Sequence, residues 1–162
     1  MQSKFFNHQG ASLHYQIGGK EAASVMVLLH GGFGSIADFE PLLPRLLQHY
    51  RVIAIDTRGH GRSTLGTAAL SYAQAADDAR QILRHEGVEK YSLFGFSDGG
   101  TTAYRLGAED KNIEKIITVG AEWHKKHLDG VRPMFEAINS DFVKENLPEQ
   151  LAAYQAANLE PD

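Results

Sequence analysis

Apolar positions fall into two rhythms along the 162-residue chain. Residues 2–8 and 11–18 are short β-favouring runs that meet near Gly10, which predicts a hairpin turning there. Residues 24–29 (SVMVLL) and 51–56 (RVIAID) are short and almost continuously apolar. Runs of that kind predict strands covered on both faces. Residues 91–96 and 113–119 (IEKIITV) predict two more.

Between these runs the spacing turns helical. Residues 38–49 predict a helix with Pro41 near its first turn, where a missing N–H costs little. Tyr72, Ala75, Ala76, Ala79, Ile82 and Leu83 recur at helical spacing, between Ser71 as N-cap and Gly87 as stop. A third helix is predicted over 98–108. Alternating strands and helices imply parallel pairing in a three-layer α/β domain. After Gly120 the strand pattern ends. Residues 123–159 predict helices lying over the domain, broken at Asp141 and Pro148.

Composition narrows the choice of function. The net charge is −4 with both signs interspersed, and no basic stripe is present. A nucleic-acid partner is therefore not expected. There is no cysteine, which removes disulfides, thiolate metal sites and thiol catalysis and fits a reducing compartment. The segment MQSKFFNHQG lacks the apolar core of a secretory signal, and no apolar run reaches the length of a bilayer span. The expectation is a cytoplasmic protein with no membrane partner.

The chemistry concentrates at GFSDGG, residues 95–100. Gly95-Phe96-Ser97-Asp98-Gly99 fits G-x-S-x-G, placed where a buried strand meets a helix. In that setting the serine sits on a strained turn that lifts its Oγ above the carboxyl edge of the sheet. Glycines suit the turn because side chains would strike the neighbouring strand and helix. The helix starting at Asp98 directs its first N–H groups to the same place. Acyl transfer at Ser97 also needs donors for an oxyanion. The N–H of Asp98 is one candidate; the N–H of Gly32 or of Phe33, in the loop His30-Gly31-Gly32-Phe33-Gly34, is the other.

HGGFG, DTRGHGRS and GFSDGG stand in order, each at the end of its strand, and together they resemble the α/β-hydrolase superfamily from about residue 5 to at least 123. SDGG followed by AYRLGAE is similar to the valacyclovir-hydrolase-like (biphenyl-hydrolase-like) branch. The resemblance implies an α/β-hydrolase core of six strands over residues 1–121, with residues 122–162 beginning a helical lid. It implies a serine hydrolase of small esters or related acyl compounds that needs neither cofactor nor metal. Carbon–carbon-bond hydrolases and perhydrolases share this machinery and stay open as alternatives. Serine at 97 argues against the dehalogenase and epoxide-hydrolase branches, which place aspartate there.

In this family an acid and then a histidine follow the nucleophile, after later strands. Only His124 and His127 follow Ser97, both in the helical tail. The expectation is therefore that the triad acid and histidine are absent and that the sequence is the N-terminal part of a longer hydrolase. A complementing C-terminal segment, or self-association, would then cover the open edge of the strand at 113–119. A non-catalytic ligand-binding protein or inactive fragment is the alternative of a different class. His30 and His60 read as loop braces, and Asp56 and Arg58 as loop anchors. Trp123 is a candidate for the substrate pocket. His124 and His127, spaced by three, read as surface residues: a metal pair would lack a third ligand, and a rescue triad with Glu122 has the wrong spacing for the family.

Overall fold

The computed structural model describes residues 1–160. Strands β1 (Gln2–His8) and β2 (Ala11–Gly19) form the predicted hairpin. Gln9 and Gly10 both take positive φ, 46° and 75°, which matches the right-handed twist of the flanking strands in a two-residue turn. Strands β3 (Val25–Leu29), β4 (Arg51–Ile55), β5 (Tyr91–Phe96) and β6 (Ile113–Val119) complete a six-stranded sheet in the order β1-β2-β4-β3-β5-β6. β1, β2 and β4 pair antiparallel, whereas β4, β3, β5 and β6 run parallel.

The continuous apolar runs serve two cores at once. Side chains alternate across a strand, so Val27 and Leu29 of β3 and Ile53 and Ile55 of β4 face one side. There they meet Ala76, Ala79, Ile82 and Leu83 of α2 (Tyr72–His85) and Ala103 and Leu106 of α3 (Asp98–Gly107). Met26, Leu28, Val52 and Ala54 face the other side and pack with Ile36 and Phe39. Ser71 caps α2 by accepting from the Gln74 N–H, and Gly87 takes φ of +66° just beyond its end.

The helix expected over 38–49 is broken. A 3-10 turn covers Ile36–Phe39 under a Ser35–Asp38 capping box, and a separate short helix, α1, covers Leu43–Leu46. Two prolines explain the division. Pro41 lies between the two pieces and has no N–H to continue the helical ladder, while Pro44, likewise without an N–H, sits in the first turn of α1.

The tail is helical, as its pattern implied: α4 (Lys125–Leu128), α5 (Arg132–Ala137), α6 (Ser140–Asn146) and α7 (Pro148–Ala157). Asp141 does not break it. Asn139 is the N-cap of α6, accepting from the Asp141 and Phe142 N–H groups, and Asp141 lies in the first turn, where its charge suits the helix dipole. Pro148 opens α7. Among the described residues β6 pairs only with β5, and Ile116, Ile117 and Val119 are exposed.

The loop after β4 hangs on a buried ion pair. The Arg58 guanidinium grips Asp78 of α2 through Nε (2.9 Å) and Nη2 (2.8 Å) and donates to the Leu65 carbonyl at 3.0 Å. Both side chains are almost fully buried. Removing one partner strands the other charge, which typically costs about 3–5 kcal/mol. Asp78→Ala is therefore expected to lower the urea midpoint strongly. Arg105→Ala, at the exposed Arg105–Glu109 pair, should change stability by only about 0.5 kcal/mol. Chemical denaturation of the two variants side by side checks the contrast.

Candidate active site

The crossing from β5 to α3 is built from lack of space. A Cβ on Gly99 would lie 2.0 Å from the Leu29 carbonyl oxygen and 2.5 Å from that of His30. One on Gly95 would lie 2.5 Å from the Gly99 carbonyl oxygen, and one on Gly100 would meet Ala121 at 2.4 Å. Only glycine fits at these three positions. Ser97 between them has φ 49° and ψ −116°, a conformation that costs a non-glycine residue on the order of 1–3 kcal/mol. Its backbone is pinned from both sides. The Ser97 N–H donates to the Val119 carbonyl at 2.8 Å, and its own carbonyl accepts from Gly100 (2.9 Å) and Thr101 (3.0 Å).

The loop after β3 lies against this turn. A Cβ on Gly31 would be 3.2 Å from the Ser97 Cβ. The Gly31 carbonyl is fixed by the His30 Nδ1–H at 2.7 Å and the Gly34 N–H at 3.1 Å. Across a planar trans peptide, the Gly32 N–H must point the opposite way. Phe33 has φ of +60°, rare for an aromatic residue. Among the described residues the N–H groups of Gly32, Phe33 and Asp98 have no hydrogen-bond partner.

The Asp98 carboxylate accepts the Tyr72 hydroxyl at 2.6 Å on one oxygen, while the other sits where a Cβ on Gly32 would be, at 2.6 Å. Burial, the bond to Asp98 and its charge push the Tyr72 phenol up to about 12. A cavity of about 290 Å³ opens here, lined by His30, Gly32, His60, Tyr72, Asp98 and Thr102. On the far side of the Gly-rich loop, Tyr154 of α7 lies edge-on to Phe33 and to His60, each at 5.7 Å, and donates to the Gly59 carbonyl at 2.9 Å. Neither the Tyr72–Asp98 bond nor the docking of Tyr154 is visible in the sequence pattern, because each joins residues from separate elements.

The bracing residues act through identifiable contacts. His30 is buried; its Nε2 accepts the Thr57 N–H at 3.0 Å while Nδ1–H holds Gly31. His60 bonds the Arg58 carbonyl at 3.1 Å. Asp56 accepts from His14 Nδ1 (2.7 Å), the Ile36 N–H (2.8 Å) and the Arg62 N–H (3.0 Å). Burial pushes the Asp56 carboxyl up, but these bonds outweigh it and hold it below the ordinary carboxylate range.

Trp123 lies elsewhere. It is 68% exposed and lines a shallow cleft with Thr101, Tyr104, Arg105 and Glu122, because Gly120, at φ +64°, turns the chain over the outer side of α3. The cleft borders Tyr72 but does not reach Gly32 or Asp98. His127 pairs with Glu122 at 3.0 Å, and His124 Nδ1 accepts the Lys126 N–H. Neither histidine hydrogen-bonds Ser97, so the structure does not assemble the rescue triad. Among the described residues no group of three metal-ligating side chains forms.

Residues 24–149 match the family model described as the alpha/beta hydrolase fold, and the chain belongs to that family. It is 35% identical over 136 residues to 3-oxoadipate enol-lactonase 1 of Acinetobacter baylyi, covering 83% of this chain and 51% of the relative. Identity to the soluble epoxide hydrolase of a Corynebacterium species is 28% over 123 residues, 74% of this chain and 42% of the relative. A crystal structure from work on carboxylesterases of Nitrososphaera gargenis superposes with a TM-score of 0.73 at 26% identity, over 82% of this chain and 52% of that one. The chain thus spans about half, or less, of the length of these relatives. Its relatives in the family include proteins named esterase, lipase and lactonase.

Burial holds the His30 imidazole below its ordinary value, with the neighbouring His60 lowering it further and the Gly31 bond and Asp56 opposing. In the unfolded chain the ring takes a proton near pH 6.5; in the folded protein it stays neutral to lower pH. The unfolded state therefore binds more protons just below pH 6.5, and stability must fall as the pH drops through that range. Thermal unfolding between pH 7 and 5 should show the decline, and His30→Gln should flatten it.

Proposed function

We propose that this chain carries the nucleophile and oxyanion site of a serine acyl hydrolase acting on small esters, lactones among them. The observation that carries the reading is the backbone of Ser97, held at φ 49° and ψ −116° by three hydrogen bonds, with free N–H groups nearby. Ser97 Oγ would attack the carbonyl carbon. The Asp98 N–H with that of Gly32 or Phe33 would hold the oxyanion, each such donor contributing about 3–4 kcal/mol to the transition state. Serine at this position favours acyl chemistry over the epoxide opening named for one relative. The run SDGG with AYRLGAE supports a place near the valacyclovir-hydrolase-like branch. The carboxylate of Asp98 beside the nucleophile favours an ester bearing a cationic amine. The base and its orienting acid are proposed to lie outside residues 1–162, since the chain spans about half the length of its relatives. Residues 122–162 would then begin the lid, and the exposed edge of β6 would meet the complementing segment.

A fluorophosphonate probe with peptide mapping tests this. Protein extended to the relatives' full length should carry the adduct on Ser97 and lose it in Ser97→Ala. The 162-residue chain should react orders of magnitude more slowly at that serine. Absence of a Ser97 adduct in the longer protein would overturn the proposal in favour of a ligand-binding role.

A further inference from the structure

A second serine, remote from Ser97, sits at the end of a complete relay. Ser3 of β1 is exposed, and its Oγ lies 2.7 Å from Nε2 of His14. His14 of β2 is 1% exposed, and its Nδ1 lies 2.7 Å from Oδ2 of Asp56. The proton positions follow from the partners. Arg62 Nη1 can only donate, and it does so to Ser3 Oγ at 3.0 Å. The Asp56 carboxylate can only accept, so His14 carries a proton on Nδ1, and the neutral imidazole takes the Ser3 hydroxyl proton at Nε2. That is the tautomer a serine nucleophile needs. Asp56 is held ionised by bonds from His14 and two backbone N–H groups, so an imidazolium formed at His14 would find its counter-charge in place.

The relay cannot serve Ser97. β2 and β5 are separated by β4 and β3, three strand spacings or on the order of 14 Å. Its opening lies instead on the surface of the hairpin. The Phe5 ring, 45% exposed, stands 5.1 Å from the His14 ring on one side, and the Arg62 guanidinium lies 5.1 Å from the Phe5 centroid. An apolar ring and a cation thus flank the hydroxyl.

We propose that Ser3 is a second acyl-acceptor site, modified once per chain by activated aryl esters and by fluorophosphonates. Ser3 Oγ forms the bond to the carbonyl carbon while its proton passes to His14 Nε2. The bond to the leaving aryloxide breaks, and that oxygen takes the proton from His14. The products are an acyl ester on Ser3 and a free phenol; with a fluorophosphonate the new bond is to phosphorus, the P–F bond breaks, fluoride leaves and His14 passes its proton to solvent. Arg62, donating to the attacking oxygen, orients the Ser3 hydroxyl so that its proton faces His14.

The experiment uses the 162-residue chain carrying Ser97→Ala, which leaves this relay intact and separates its outcome from that of the Ser97 reading. After treatment with a fluorophosphonate or with 4-nitrophenyl acetate, peptide mapping is expected to find the adduct on Ser3. It should form about a hundredfold faster than at exposed Ser140, the size of effect general-base assistance supplies. The advantage should rest on His14, which has Asp56 and Arg62 as its charged neighbours and supplies the base. His14→Gln should remove the advantage in a chain that still unfolds cooperatively. A Ser3 rate equal to that of Ser140 would overturn the proposal, and that comparison within one chain decides the matter even where His14→Gln does not fold.

Discussion

The close approach of α3 to the end of β3 governs the site. Gly99 presses against the Leu29 and His30 carbonyls so tightly that no side chain fits between them. The geometry around Ser97 follows from that contact. It sets where β5 must stop, forces the positive φ at Ser97, and brings the start of α3 beside the Gly31–Gly34 loop. The strain at Ser97 persists because Val119, Gly100 and Thr101 hold its backbone through three hydrogen bonds. A looser crossing would let the serine relax to ordinary backbone and carry its hydroxyl away from the free amides.

Asp56 plays the corresponding part in the loops. It stands at the end of β4 and ties three segments together: β2 through His14, the 3-10 turn through Ile36 and the Gly-rich loop through Arg62. Arg58, two residues on, fastens the same loop to α2. The carboxyl edge of the sheet is therefore a braced rim rather than a set of independent turns. His30, neutral and buried, joins the oxyanion-candidate loop to this rim at Thr57.

Much of this was legible in the chain itself. The strands over 25–29 and 51–55 were readable because a two-faced core demands uninterrupted apolar residues, and the crossing at 95–100 because its glycines have no other use. Ser71 and Gly87 marked the ends of α2 through their own backbone chemistry. The region at 36–47 was misread because apolar spacing there suited one helix, while the two prolines decided the backbone. Asp141 was misread as a break because aspartate also favours a first helical turn. Trp123, Tyr154 and the Tyr72–Asp98 bond depend on how separate elements meet, which no local pattern encodes.

Two serines in this chain each hold part of what acyl transfer requires, and they hold complementary parts. Ser97 has a strained backbone and unpaired amides in the adjoining loop and helix start, but no imidazole bonded to it among the described residues. Ser3 has an imidazole at its hydroxyl and a buried carboxylate behind it, but its guanidinium is bonded to the attacking oxygen and not placed as amides for an oxyanion would be. An imidazole accelerates the loss of a proton from the attacking oxygen; converging amides lower the energy of the tetrahedral state itself, and do so again in the hydrolytic step. A site with the first alone can be acylated and then stall, whereas a site with the second needs only a base brought to it. On the proposed reading, turnover therefore belongs to the strained crossing once a base is supplied, and the hairpin serine is limited to a single event.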